Sequence, residues 1–153
     1  MDAARLVAES ERVMRGAPRP EDVIEEAWQA GELVEAVSRL LSAGHASAGP
    51  AGEETRPGRV VPPVAVAGAG PPRAARLTAV RDPSGTLRAL RMLLGEINQA
   101  LVVLTCAVED EGAYWSCVEA LDAVDEARER VRALVREGAD GGGARGGESS
   151  CGV

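Results

Sequence analysis

The feature that most constrains this chain is a run of apolar residues between Thr86 and Val108 that recurs every three or four positions. That spacing puts one stripe of side chains on a single helical face, the pattern of a helix that packs on other helices. A short acidic turn at 109–112 separates this helix from a second helical run. The sequence therefore predicts a helical hairpin over 86–137, with its first seam at Leu87, Leu90, Leu94, Ile97, Leu101, Leu104 and Val108.

The second run, from about Ala113 to Glu137, has smaller residues on its inner face. Alanine and valine opposite leucine allow two helices to interdigitate closely. From Gly138 onward the chain is rich in glycine, so 138–153 is predicted to be a disordered tail. The inner positions of the second run are Ala113, Cys117, Ala120, Val124, Ala127, Val131 and Leu134.

The first 43 residues predict a second hairpin. Asp2 is a suitable N-cap, Gly16 and Pro18 end the first helix, and Pro20 suits the first turn of the next helix, which is predicted to stop near Gly44. The first helix is expected to bury a face made of Leu6, Val7, Ser10, Val13 and Met14.

Residues 44–85 are dominated by Gly, Pro, Ala and Ser, which predicts a mostly disordered linker. Within it, 73–80 is predicted to form a short helix. The expected fold is all-α, a bundle of about four helices in two hairpins. Residues 1–43 and 86–137 are expected to pack together as one domain, with the linker and tail outside it.

Charge argues against several classes of partner. Residues 1–43 carry five arginines and nine acidic residues, and residues 86–137 carry six arginines and ten acidic residues. Acidic helices repel phosphate, so no nucleic-acid partner is expected. The uncharged stretch 97–108 is too short to span a bilayer, and no signal segment precedes it, so a cytoplasmic protein without a membrane partner is predicted.

No catalytic or metal-binding pattern is visible. The single histidine, His45, lies at the start of the predicted linker, so a nucleophile would lack a placed base. Di-metal bundles need Glu-x-x-His pairs, and the acidic stripe of the last helix is instead interpreted as a solvated face with Glu126–Arg130 and Asp125–Arg128 pairs. The protein is predicted not to be an enzyme and to need no cofactor or metal. The stripe consists of Glu119, Asp122, Glu126 and Glu129.

Two interpretations fit Cys106 and Cys117, which lie on either side of the acidic turn. They could form a redox-switchable clasp if their Cα atoms came within about 7 Å. The favoured interpretation is two small packing residues, since buried cysteine behaves as a small apolar residue.

Aromatic residues are scarce, at 2% of the chain with no Phe. The three that are present, Trp28, Tyr114 and Trp115, are candidate interaction residues, because Trp and Tyr are enriched at binding hot spots. The alternative is that they cover the core of the bundle.

The run Tyr114–Ala127 (YWSCVEALDAVDEA), the opening MDAARL and the block EAWQA at 26–30 resemble a small uncharacterised family, a domain of unknown function, from Streptomyces and related actinobacteria. The resemblance implies an actinobacterial cytoplasmic protein and carries no activity or site.

Two functional hypotheses follow. The first is a non-enzymatic interaction module that binds a partner protein or itself through an aliphatic helical face. The alternative is a small-molecule sensor or carrier with a pocket between helices near Trp28, Tyr114 and Trp115.

Overall fold

The computed structural model describes residues 1–46 and 71–142. The predicted disorder of the intervening stretch and of 143–153 lies outside these residues. The described part is all-α, as predicted, with four long helices and one short one. They are α1 (Ala3–Arg15), α2 (Pro20–Ala46), α3 (Arg73–Arg76), α4 (Pro83–Ala107) and α5 (Glu111–Gly142).

Two aspartates cap the first turns of α4 and α5, the two helices of the hairpin 83–142. The Asp82 carboxylate accepts a hydrogen bond from the Gly85 amide at 2.9 Å, with Pro83 in the first turn of α4. The Asp110 carboxylate accepts from the Ala113 amide at 2.8 Å and so caps α5. α5 continues to Gly142, five residues beyond the predicted end at Glu137.

The turn between α1 and α2 differs in detail from the predicted glycine stop. Gly16 does follow the last residue of α1, but its φ is −80°. The left-handed residue is Ala17, with φ of 54°, a conformation that strains a side chain with a Cβ. α2 then begins at Pro20 as predicted and passes Gly44 to end at Ala46.

The core is aliphatic and lies between the four long helices. Five of the seven predicted α4 seam positions are buried, while Leu104 and Val108 are half-buried. α5 contributes the expected small residues, and no aromatic ring is buried among the described residues. The buried apolar positions of these two helices are Leu87, Leu90, Leu93, Leu94, Ile97, Leu101, Cys117, Ala120, Val124, Ala127, Val131 and Leu134.

The helix directions follow from a few contacts. The Ala3 amide donates to the Ala79 carbonyl at 3.0 Å, just ahead of α4, and Met14 lines the same groove as Ala100 and Leu104. α1 therefore runs parallel to α4. Since each is followed by a tight turn, α2 and α5 are also parallel, and both are antiparallel to α4.

Residues 71–82, here named the strap, are ordered, which corrects the prediction of a mostly disordered linker over 44–85 for this part of it. The Arg73 guanidinium binds the Glu26 carboxylate through two bonds of 2.6 and 2.7 Å. The side chains of this pair are 15% and 5% exposed, so both charges are largely removed from water. The short helix predicted within 73–80 forms over the first half of that range, as α3.

The other end of the strap is bound to α1. Arg76 forms an ion pair with Glu9 at 2.8 Å, and this hydrogen bond holds the pKa of the Glu9 carboxyl below its ordinary value. The Asp2 side chain does not cap α1 as predicted. It accepts instead from the Arg81 amide at 3.2 Å, which joins the start of α1 to the end of the strap.

Candidate interaction surface

The side of α4 opposite its buried seam is open. Six positions of α4 share this side at spacings of four, three, four, four and three. We name them the outer face, and they are Arg88, Met92, Gly95, Gln99, Val103 and Cys106. Met92 is 64% exposed and Val103 is 62% exposed, so two large apolar side chains of this helix face water.

A groove of about 510 Å³ opens beside the second half of the outer face, where the α1–α2 turn meets α4. Its walls are mostly apolar, with Arg15 and Glu96 as the charged residues. Gln99 and Val103 belong to both the groove and the outer face, so the two form one continuous surface. The other residues that line the groove are Met14, Pro18, Val23, Ala100 and Leu104.

One feature of the sequence indicates this surface, namely the absence of charged residues on the open side of the second half of α4. The stretch 97–108 carries no charge, although an amphipathic helix with one buried seam needs polar residues on its other side. Val102 and Val103 fall on that other side, at 47% and 62% exposure. The sequence alone predicts only that this stretch is too short to span a bilayer, and the packing shows that Val102 and Val103 break the polar side of the helix.

Helix α4 is also long and apolar enough to span a membrane by length and composition, with a mean hydropathy of 1.3 over its most apolar part. It is the one such helix in the described ranges. Core helices of bundles meet the same criterion, and the leucine seam of α4 has that role here.

Tyr114 and Trp115 lie together on the surface at the start of α5. Tyr114 is 41% exposed and Trp115 is 56% exposed, so neither is buried in the core. Their rings meet edge to face at 5.5 Å. Tyr114 precedes Arg132 by 18 residues, five full helical turns, and Arg132 shares a cleft with Arg91 of α4. Tyr114 therefore lies on the flank of α5 that faces α4.

Trp28 lies elsewhere, on the solvent side of α2. It is 45% exposed and shares its stripe with the exposed residues Glu25, Glu32 and Glu35. Within the described part of the chain, no ring contact joins it to Tyr114 or Trp115. Neither the groove nor the smaller α4–α5 cleft is lined by any of the three aromatic residues.

The smaller cleft, about 90 Å³, is lined by three arginines of α4 and α5 together with Val131. Arg128 pairs with Asp125 at 3.4 Å, which confirms one predicted pair, and Arg132 pairs with Glu129. The other predicted pair is not seen, because Arg130 reaches across to α2. There its Nε donates to the Ser38 hydroxyl at 3.1 Å and lies 3.8 Å from the Glu35 carboxylate.

The acidic stripe of α5 lies in solvent, as expected, since all four of its residues are exposed. Among the residues that the structure describes, no group of three or more His, Cys, Asp or Glu is placed to hold a metal ion.

No disulfide joins Cys106 to Cys117 in this structure. Cys117 is buried in the core, which confirms its interpretation as a packing residue. Cys106 is exposed on the outer face, so the same interpretation is wrong for it. Both thiols are free.

The fold and this surface define a small all-α bundle with an open apolar helix face and an adjoining groove. The chain belongs to a family described as Family of unknown function (DUF6099), whose model matches residues 1–137. The resemblance in the sequence to an uncharacterised family is thereby confirmed. No curated protein and no solved structure matches the chain.

Proposed function

We propose that this protein is a non-enzymatic interaction module that binds a protein partner through the outer face of α4 and the adjoining groove. The observation that carries the proposal is the exposure of Met92, Val102 and Val103 on a helix whose seam is already buried. Exposed apolar side chains beside an apolar groove favour an interaction site, because leaving apolar surface in water is unfavourable by about 25 cal/mol for each Å².

The sequence predicts binding through an aliphatic helical face, and the most aliphatic face of α4, its leucine seam, packs inside the bundle. Leu90, Leu94, Ile97 and Leu101 are fully buried, so a partner has no access to them. The opposite side of the same helix offers an open groove of the kind that receives the apolar side of a partner helix. The proposal therefore keeps the interaction role and assigns it to the outer face of α4 and the groove instead of the buried seam.

Tyr114 and Trp115 remain proposed contact residues of this surface, whereas Trp28, on the solvent side of α2, is proposed only as a contact residue of a separate surface. The exposed aromatic pair adjoins the acidic turn 109–111, and the side of Tyr114 that faces α4 extends the surface of that helix. Aromatic side chains with one apolar and one polar end are enriched at binding hot spots. We further propose a cytoplasmic location without nucleic-acid or membrane partners, supported by the acidic charge of both helical halves.

A capture experiment with the immobilised full chain in an actinobacterial lysate tests this proposal. Val103→Glu places a charge on the outer face, and Val135→Glu is the control, since Val135 is another exposed valine, at 48%, and lies on α5. A partner that is lost by Val103→Glu and retained by Val135→Glu, with helicity unchanged, supports the proposal. Equal capture by both variants contradicts the surface.

A second candidate function is favoured by the groove volume. At about 510 Å³ the groove is within the range of small-molecule sites, so a sensor or carrier of an apolar ligand is the alternative. A thermal-shift screen of apolar compounds tests it. A compound that raises the Tm of the wild type but not of Val103→Glu supports ligand binding, and the absence of any such compound removes this candidate.

A further inference from the structure

Resting on the proposed function, we infer that the partner of the outer face is a second copy of the same chain. The two α4 helices pair antiparallel, with the two-fold axis at Gln99. The inference depends on the spacing, the shape and the charge of the outer face, each of which is self-complementary about this residue.

The spacing is symmetric in both directions from Gln99. Gly95 lies four residues before it and Val103 four residues after it, while Met92 and Cys106 lie seven residues before and after. In an antiparallel pair with its axis at Gln99, each residue meets its counterpart at the same distance on the other side. Met92 then faces Cys106 of the second copy, and Gly95 faces Val103. This is the isologous contact that two-fold symmetry requires.

The shapes at these positions are complementary. A Cβ added to Gly95 would find nothing within 4 Å in the chain, so this position is an open notch on the helix surface. Val103 is 62% exposed and projects from the same face. In the pair, Val103 of each copy fills the notch at Gly95 of the other. A small residue opposite a branched one lets helix axes approach closely.

The residues at the axis and at the flanks add polar complementarity. Gln99 is exposed and meets itself, and two side-chain amides can each donate to and accept from the other. Arg88, eleven residues before the axis, is exposed and makes no ion pair among the described residues. The antiparallel arrangement brings it toward the acidic turn of the second copy.

That turn is available for such a contact. Glu109 and Glu111, ten and twelve residues after the axis, are both exposed and, within the described ranges, both lack an ion pair. Two Arg-to-carboxylate contacts related by symmetry would select the antiparallel orientation over the parallel one, which would place like charges together. The pairing also covers a helix whose most apolar stretch is only 28% buried in the single chain.

A disulfide experiment tests the alignment directly. Met92→Cys is introduced while native Cys106 is kept. Within one helix these residues are about 21 Å apart at the standard rise, so a disulfide between positions 92 and 106 can form only between copies. Under mild oxidation we expect a covalent dimer whose linked peptides contain these two positions. Asp125→Cys, on the exposed surface of α5, is the control and should give no comparable product.

Sedimentation equilibrium of the full chain tests the pairing without a crosslink. We expect a species of twice the 15.8 kDa chain mass. Gly95→Glu should weaken the dimer by on the order of tenfold or more, about 1.4 kcal/mol, while the fold persists because the new side chain meets no neighbour. Gly31→Glu is the matched control, since Gly31 is also mid-helix with open space around it, and it should stay dimeric.

Charge reversal tests the orientation. Arg88→Glu alone and Glu109→Arg/Glu111→Arg alone should each weaken the dimer, and the combined variant should recover it. A wild type that is monomeric at every concentration, or a dimer unaffected by Gly95→Glu, would overturn the pairing. If that monomer still captures a partner that Val103→Glu loses, the proposed function stands without self-association. If capture is unaffected as well, both fall.

Discussion

Helix α4 and the strap are anchored to the same bundle by opposite means. α4 is held by leucines that recur along one face and lie next to each other in the fold. The strap has no fully buried residue of its own and packs only Leu77 and Val80, both half-buried, against the core. Its ion pairs and hydrogen bonds join it to residues 44 to 79 positions earlier in the chain. The leucine contacts of α4 can be predicted from the local spacing of residues. The polar contacts of the strap form only after segments that are distant in the sequence have packed together.

The two anchors also respond differently to their surroundings. Burial of apolar surface is insensitive to pH and moderate salt, while ion pairs respond to both. The variants that follow separate the two contributions.

The largest effect is expected for Leu94→Asp. Leu94 is fully buried in the core, and a carboxylate there would have no partner, which costs about 4 kcal/mol or more. We expect loss of the cooperative unfolding transition by circular dichroism. Arg91→Asp, three residues away and exposed, should change the free energy of unfolding by less than about 0.5 kcal/mol. Similar losses for both variants would contradict the buried seam.

Arg73→Ala should have the next largest effect, through the strap. The Glu26 carboxylate would remain buried without its partner, and breaking such a pair costs about 3–5 kcal/mol. Denaturant unfolding measures this loss. Arg73→Met/Glu26→Met removes both charges and should recover most of the stability. A single variant that loses less than about 1 kcal/mol would show that the pair is solvated in solution.

The contrast between α4 and the strap also explains which parts of the structure could be predicted from the sequence. The four long helices, the α4 seam and the alanine side of α5 follow from apolar spacing, and these predictions are confirmed. That residues 71–82 are ordered does not follow from apolar spacing. Nothing in the sequence near Arg73 indicates that it pairs with Glu26, 47 residues earlier. The candidate surface falls between these cases. The uncharged stretch 97–108 is visible in the sequence, but only the packing shows which of its sides is left open.

Ser10→Ala sharpens the contrast inside the core. The Ser10 hydroxyl is buried and has no hydrogen-bond partner, so its removal should raise the free energy of unfolding by about 1 kcal/mol. Ser38→Ala is the control, because the Ser38 hydroxyl is also buried but accepts a bond from Arg130. That variant should be destabilised. Thermal and denaturant unfolding measure both variants. If the free energy of unfolding changed in the same direction for Ser10→Ala and Ser38→Ala, this account would be refuted.

The smallest effect is the acid response of the strap. The hydrogen bond from Arg76 lowers the pKa of Glu9 in the folded protein from its ordinary value of 4.5, so its stabilisation is present above that value. It is lost as the pH falls through the lower, folded pKa. Glu9→Gln should remove this part of the acid dependence, a few tenths of a kcal/mol for a partly exposed pair. The measurement is hydrogen exchange of the strap amides between about pH 5 and pH 2, the range in which carboxylates titrate. If the Glu9–Arg76 pair does not form, the variant and the wild type will show the same exchange rates.

The bonds of the strap also set an order of events when the chain folds. Contacts within the α4–α5 hairpin join neighbours in sequence and form early, since little loop entropy is lost. The bonds from Met1 to Arg76 and Thr78 close a loop of more than seventy residues, so they come late. The Arg73–Glu26 pair also joins residues 47 positions apart, and until it forms the nearly complete bundle carries one unpaired carboxylate. The last step of folding is therefore electrostatic, and salt should slow it while leaving the hairpin step unchanged.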